Sequence, residues 1–117
     1  MDIEYIQTYC MNKKAVTYDF PFDEHTLAFR VCNKIFALAS LDEVDLKINL
    51  KCDPDYAIEL RERYDDIQPG YHMNKKMWNT VNFSSNIENT LLLALIDHSY
   101  DEVVKKLSKK EKEQLND

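Results

Sequence analysis

Residues 46–52 alternate without a fault: Leu46, Ile48, Leu50 and Cys52 on one side, Lys47, Asn49 and Lys51 on the other. Period-two alternation is what a strand with one buried and one wetted face requires, and no helix keeps two such sets apart. Two related runs precede it. Leu27, Phe29 and Val31 alternate with Ala28 and Arg30, and residues 35–39 follow after the polar pair Asn33-Lys34. Connections this short join strands running in opposite directions. The chain therefore predicts an antiparallel sheet whose wet face carries Arg30, Lys47, Asn49 and Lys51.

The flanking segments have helical spacing. Ile3, Ile6, Tyr9 and Cys10 mark a helix over 2–12. Asp53-Pro54 opens another, since Asp caps a helix N-terminus and Pro fits its first position. Ala57, Leu60 and Tyr64 form the apolar stripe, and Asp65-Asp66 end it against the helix dipole. Tyr71-His72-Met73 and residues 78–83 read as a second hairpin with 74–77 at its tip, adding Trp78, Thr80 and Asn82 to the wet face. Ser85-x-x-Glu88 reads as a capping box before the stripe Leu92, Leu95, Ile96, Ser99, Tyr100, Val103 and Leu107. Ser108-x-x-Glu111 repeats it and starts a short helix that frays over 108–117. Residues 13–25 are expected to be a loop, with Phe20 and Phe22 lidding the core. The expected fold is α+β: a single antiparallel sheet of about five strands with helices on one face. At 117 residues and 44% hydrophobic, residues 1–117 form a single domain around one core.

Several function classes are excluded at this level. The N-terminus lacks the basic start and apolar run of a signal peptide, and the longest apolar run, residues 91–96, cannot span a bilayer. No membrane association is expected. Three widely spaced cysteines without a CxxC signal neither a disulfide framework nor a zinc site, which places the chain in the cytoplasm with buried free thiols. One glycine rules out a glycine-rich phosphate loop. His25, His72 and His98 have no metal-ligand spacing, and no GxSxG nucleophile motif occurs. No cofactor, metal or catalytic residue is expected. The acidic runs 42–45 and 65–66 read as solvated loops, with weak binding of a hard cation as the alternative.

Formal net charge is −6, against a general basic footprint for nucleic acid. The charge is uneven, however. Residues 1–69 carry 8 basic and 14 acidic side chains, and residues 70–117 carry 7 of each. Between Asp66 and Glu88 the only charges are Lys75 and Lys76. Residues 69–83 combine aromatics, lysines, a histidine and amides. Lysines pair with phosphates, aromatic faces stack bases, and Asn reads base edges. Ordinary hairpin packing, with Trp78 at the core edge and lysines keeping the tip soluble, accounts for the same composition.

The chain resembles the MmcQ/YjbR family. The resemblance rests on Phe20-Pro21-Phe22, on Phe29-Arg30-Val31 with Lys34-Ile35-Phe36-Ala37, and on Leu50-Lys51-Cys52 before Pro54. It is strongest through Pro69-Gly70-Tyr71-His72-Met73-Asn74-Lys75-Lys76, then Trp78-Asn79-Thr80-Val81, and closes on His98-Ser99-Tyr100 with Val103-Val104 and Lys106-Leu107. Position 77, expected to be His or another polar residue, is Met. The resemblance implies a CyaY-like fold and DNA binding through two hairpin "wings", here Asn33-Lys34 and residues 74–77. On that reading Lys34, Lys51, Lys75 and Lys76 neutralise phosphates, Asn74, Trp78 and Asn79 contact bases or sugars, and His72 joins them as a motif residue. Weak, salt-sensitive, non-catalytic DNA binding is the expectation. The alternative is a protein-interaction or small-ligand module using the same Trp-containing face. Iron handling, by analogy with frataxin-like folds, rests on fold likeness alone.

Overall fold

The computed structural model describes residues 1–70 and 73–116. Among them the chain forms, in order, α1 (Ile3–Met11), β1 (Val16–Asp19), β2 (Thr26–Val31), β3 (Lys34–Ser40), β4 (Lys47–Lys51), α2 (Pro54–Arg63), β5 (Ile67–Pro69), β6 (Trp78–Asn82), α3 (Asn89–Lys105) and α4 (Lys109–Leu115). The strands make one antiparallel sheet in the order β1-β2-β3-β4-β6-β5. The α+β architecture is as expected, with six strands where about five were read.

The register sorts side chains by face, as the alternation requires. Leu27, Ala39, Ile48, Val81 and Ile67 stand in one cross-strand row. All five belong to a single buried cluster that also takes Ile6 and Cys10 of α1, Ala57 and Leu60 of α2, Leu92, Leu95, Ile96 and Val103 of α3, and Leu115 of α4. The other face carries the pairs Lys47–Asn82, Asn49–Thr80 and Lys51–Trp78. The wet-face residues expected from alternation are thus aligned across the two strands.

Four local expectations are corrected. First, residues 13–25 contain β1. Val16, buried, pairs with Val31, and Tyr18 stands opposite Phe29. A four-residue edge strand with one buried side chain leaves almost no periodic signal. Phe20 and Phe22 do not lid the core; they are 46% and 67% exposed. Second, the β2–β3 turn is Cys32-Asn33, with φ of 48° and 67°, and Lys34 already belongs to β3. Both turn residues take the left-handed conformation that a two-residue hairpin of right-handed twist needs. Third, β6 pairs with Ile67–Pro69, so Met73 lies in a bend outside the ladder, while Tyr71 and His72 fall outside the described residues. Ile67 is fully buried and sets that pairing. Fourth, Glu88 is the N-cap of α3 and makes no side-chain cap bond. Ser85 Oγ instead accepts the Ile87 N–H at 3.3 Å, because burying Phe83 and Ile87 delays the helix.

Other signals hold. Asp2 and Asp53 cap α1 and α2 through the Tyr5 and Tyr56 N–H groups, and Ser108 and Glu111 form the full capping box of α4. α2 ends at Arg63 with Tyr64 as its C-cap, so Asp65 and Asp66 lie in the following loop, and the basic residues of its last turn are Arg61 and Arg63.

Candidate nucleic-acid interface

Antiparallel topology places alternate loops at opposite ends of the strands, and here it sorts charge. At one end lie the loops 20–25, 41–46 and 64–66. Thr26 pairs with Ser40, Ser40 with Lys47, and Lys47 with Asn82; the Leu41 N–H donates to His25 O at 2.8 Å, and the Asn82 N–H to Asp66 O at 3.0 Å. These three loops carry seven carboxylates and neither lysine nor arginine. At the other end lie the β2–β3 turn with Lys34, the end of β4 with Lys51, and residues 73–77 with Lys75 and Lys76. The C-terminus of α3 reaches the same end. Burial first, and then the Lys106 ammonium, lower the pKa of Lys51, while the nearby Glu102 carboxylate acts to raise it. Glu111, held low chiefly by its bonds to Ser108, also feels Lys34, which sets the start of α4 beside the β2–β3 turn.

The basic end is built by specific contacts. Where β3 and β4 part beyond the Ala37–Leu50 pair, Ser99 of α3 inserts its hydroxyl. It donates to Phe36 O at 2.5 Å and accepts the Lys51 N–H at 2.8 Å, replacing the missing rung of the ladder. Phe36 is the extra residue of a β-bulge, skipped between the Phe29–Ala37 and Arg30–Ile35 pairs. It is fully buried and meets Tyr100 edge-on at 5.4 Å. His98 Nε2 accepts the Asp53 N–H at 3.1 Å, and the Tyr100 hydroxyl donates to Lys14 O at 2.6 Å. His98-Ser99-Tyr100 is therefore a structural clamp on the strand ends. Spacing places its residues on a helix; only the parted strands reveal what they bind.

Arg61 was not anticipated. From the last turn of α2 its guanidinium donates to Asn79 Oδ1 at 2.6 Å, to Trp78 O at 3.2 Å and to Lys75 O. It ties the 73–77 segment and the start of β6 to the helix. Its one sequence signal is its place beside Leu60, on the half-buried flank of α2. Gly70 serves the same junction. Its N–H donates to Trp78 O at 2.8 Å, and a Cβ there would lie 2.7 Å from Trp78 Cβ, so only glycine permits this approach.

The candidate residues divide accordingly. Lys34, Asn74, Lys75 and Lys76 are exposed at the basic end, and Lys51 and Trp78 are partly exposed there as a cross-strand pair. Asn74 Oδ1 accepts the Lys76 N–H at 3.0 Å, which orders the tip. Asn79 is a correction. It is 2% exposed and points inward to Arg61, so it cannot meet a base. Its position in β6, one residue from Trp78, places it on the core face. His72 lies outside the described residues.

A family model described as YjbR matches residues 11–102. The chain belongs to the YjbR family. Two relatives are from Escherichia coli, and both are described as uncharacterised. YbdF of strain O157:H7 is 38% identical over 82% of this chain and 79% of its own length. YjbR of strain K12 is 28% identical over 98% of each chain. The crystal structure of Deinococcus radiodurans protein DR2400, described as a DUF419 domain, superposes with a TM-score of 0.92 at 34% identity, covering 97% of this chain and 87% of that one. A Pseudomonas syringae protein superposes at 0.75 with 26% identity, over 87% of this chain and 98% of the other. The YjbR match spans the bulge, the clamp and the Arg61 junction alike. Among the described residues no helix is long and apolar enough to cross a membrane, and no group of three or more His, Cys, Asp or Glu side chains gathers to hold a metal ion.

Proposed function

We propose that this YjbR-family chain is a non-catalytic DNA-binding module that grips phosphates with the basic end of its sheet. The observation that carries the reading is the charge sorting: Lys34, Lys51, Lys75 and Lys76 lie at one end of the sheet with Trp78, where Glu102 is the carboxylate that acts on Lys51, while the seven loop carboxylates stand at the far end. Lys47 and Lys51 bound a five-residue strand, and four steps at about 3.3 Å separate the two ends by roughly 13 Å. The Debye length is about 8 Å at physiological ionic strength. A phosphate at the lysines is thus largely screened from the acidic loops, and a net charge of −6 does not forbid binding. Lys34 and the 74–77 tip reach the backbone, and Trp78 offers a stacking face beside them.

About four phosphate contacts predict a slope of roughly −3 to −4 in log affinity against log salt. The test is anisotropy of labelled duplex DNA and RNA, read beside the fluorescence of Trp78, the single tryptophan. Lys75→Glu with Lys76→Glu should lower DNA affinity by at least ~10-fold and flatten the salt slope by about 2. Unchanged DNA affinity in that double variant refutes the site.

A further inference from the structure

We propose that the opposite end of the open sheet face takes an extended, lysine- or arginine-rich peptide segment of a partner protein. A groove of about 770 Å³ lies there, within the ~300–1,000 Å³ span of ligand clefts. Its floor is the wet face of β4 and β6, with Lys47 and Asn49 opposite Asn82 and Thr80. Asp42 and Glu43 of the β3–β4 loop form one rim, and Asp65 and Asp66 of the α2–β5 loop form the other. Four carboxylates thus face one ammonium. Among the described residues none of the four is ion-paired with a lysine or arginine of the chain, so their charge is available to a partner.

The arrangement selects a peptide over a compact cation. The carboxylates stand in pairs on two separate walls, and no three of them gather to hold a metal ion among the described residues. A ligand meeting both walls must spread its positive charge. The floor offers side chains two residues apart along each strand, the spacing at which an extended polypeptide presents its own. Val44, fully exposed, and Leu41, 39% exposed, stand beside the acidic rim. They give apolar side chains of a mixed basic segment a place that a polyamine would not use.

The experiment titrates the full chain into a labelled ten-residue peptide alternating Lys or Arg with Val, with its Glu-containing counterpart, spermine and Mn²⁺ as rivals. The cationic peptide should bind and weaken by about 10-fold between ~20 and ~200 mM salt. Asp42→Lys with Glu43→Lys, and separately Asp65→Lys with Asp66→Lys, should each weaken it by about 10-fold. All four positions are exposed, and circular dichroism checks the fold of each pair, so either suffices. Lys75→Glu with Lys76→Glu should leave peptide binding intact, and Trp78 emission should stay constant, which separates this site from the DNA site. Absence of peptide binding at low salt overturns the proposal. So does equal binding by a folded rim variant, or spermine or Mn²⁺ binding as tightly as the peptide.

Discussion

The two ends of the sheet are made from the same strands and differ in nearly everything a partner would meet. At the acidic end, loops of three to six residues present carboxylates beside exposed Phe22 and Val44, held partly by cross-loop bonds such as the Leu46 N–H to Ser84 Oγ and the Asn82 amide to Asp45, and partly by turn bonds. Asp23, for example, accepts the His25 and Thr26 N–H groups at 2.8 and 2.7 Å. At the basic end, long-range hydrogen bonds from Ser99, His98, Tyr100 and Arg61 hold the strand ends against helices. One end displays charge on loops bonded to neighbouring loops and strands; the other places charge on a frame of strand ends bonded to the helices α2 and α3. Net charge, an average over both, describes neither.

The strongest way to break the comparison is to remove the frame. Arg61→Met strips the guanidinium from Asn79 Oδ1 and from two backbone carbonyls. Because hydrogen bonds to charged groups contribute about 1.5–3 kcal/mol each, urea unfolding should show a loss of roughly that size or more. DNA affinity should fall too, although every exposed lysine remains. Equal stability in the variant would mean that the junction does not hold the tip.

Ser99→Ala comes next. It leaves Phe36 O and the Lys51 N–H without partners in a buried gap, at a cost of about 1–3 kcal/mol. Hydrogen exchange should show the Lys51 amide losing protection ahead of those in β5. The matching change at the other end, Asp42→Ala, should alter stability by less than ~0.5 kcal/mol.

A smaller effect sharpens the electrostatic side. Asp65→Lys with Asp66→Lys should raise DNA affinity a few-fold near 10 mM salt, where the Debye length is about 30 Å and the basic end feels the far loops. Near 150 mM, at about 8 Å, the gain should vanish. A gain that persists at physiological salt would mean that DNA contacts the acidic rim directly.

The mildest contrast is in pH. Burial pushes the Cys10 and Cys52 thiols and the Tyr9 hydroxyl up to about 12, the last also through its bonds to Asp97. Tyr56 and Tyr100 are raised as well, again chiefly by burial. Groups raised in the folded state stabilise fully below their ordinary values of 9.0 for cysteine and 10.0 for tyrosine. That contribution is lost as pH climbs toward 12. Lys51, lowered by burial and Lys106, works the other way over the window below 10.5, but five raised groups outnumber it. Urea midpoints should therefore fall between pH 9 and 11. The acidic end responds oppositely. The His25 and Thr26 bonds hold the Asp23 carboxyl below its ordinary value of 3.8, so its contribution is present above that pH and disappears on acidification.

Much of this was legible in the chain. Strict alternation marked β2, β4 and β6 and assigned Lys47, Asn49, Lys51, Trp78, Thr80 and Asn82 to one face, because a pleated strand offers no other arrangement. Asp2, Asp53 and Ser108 marked helix starts, since a cap bond spans three residues and needs nothing distant. β1 and β5 left too short a pattern to read. The Ser85–Glu88 pair carried the right letters, but the packing of Phe83 and Ile87 overrode it. Asn79 entered the candidate site through its polarity, although parity with Trp78 and Thr80 already set it on the opposite face, and its register between Leu50 and Pro69 agrees.

The sequence by itself determined which side chains share a face, because face is a matter of parity along one strand. Tertiary structure alone decided that the loop before β5 joins the other acidic loops, because that depends on which strand β5 pairs with and in which direction. It also supplied the bonds of Ser99 and Arg61, whose partners lie 48 and 18 residues away. Those two facts turn a chain of net negative charge into one with a basic edge firmly held and an acidic groove at the opposite end.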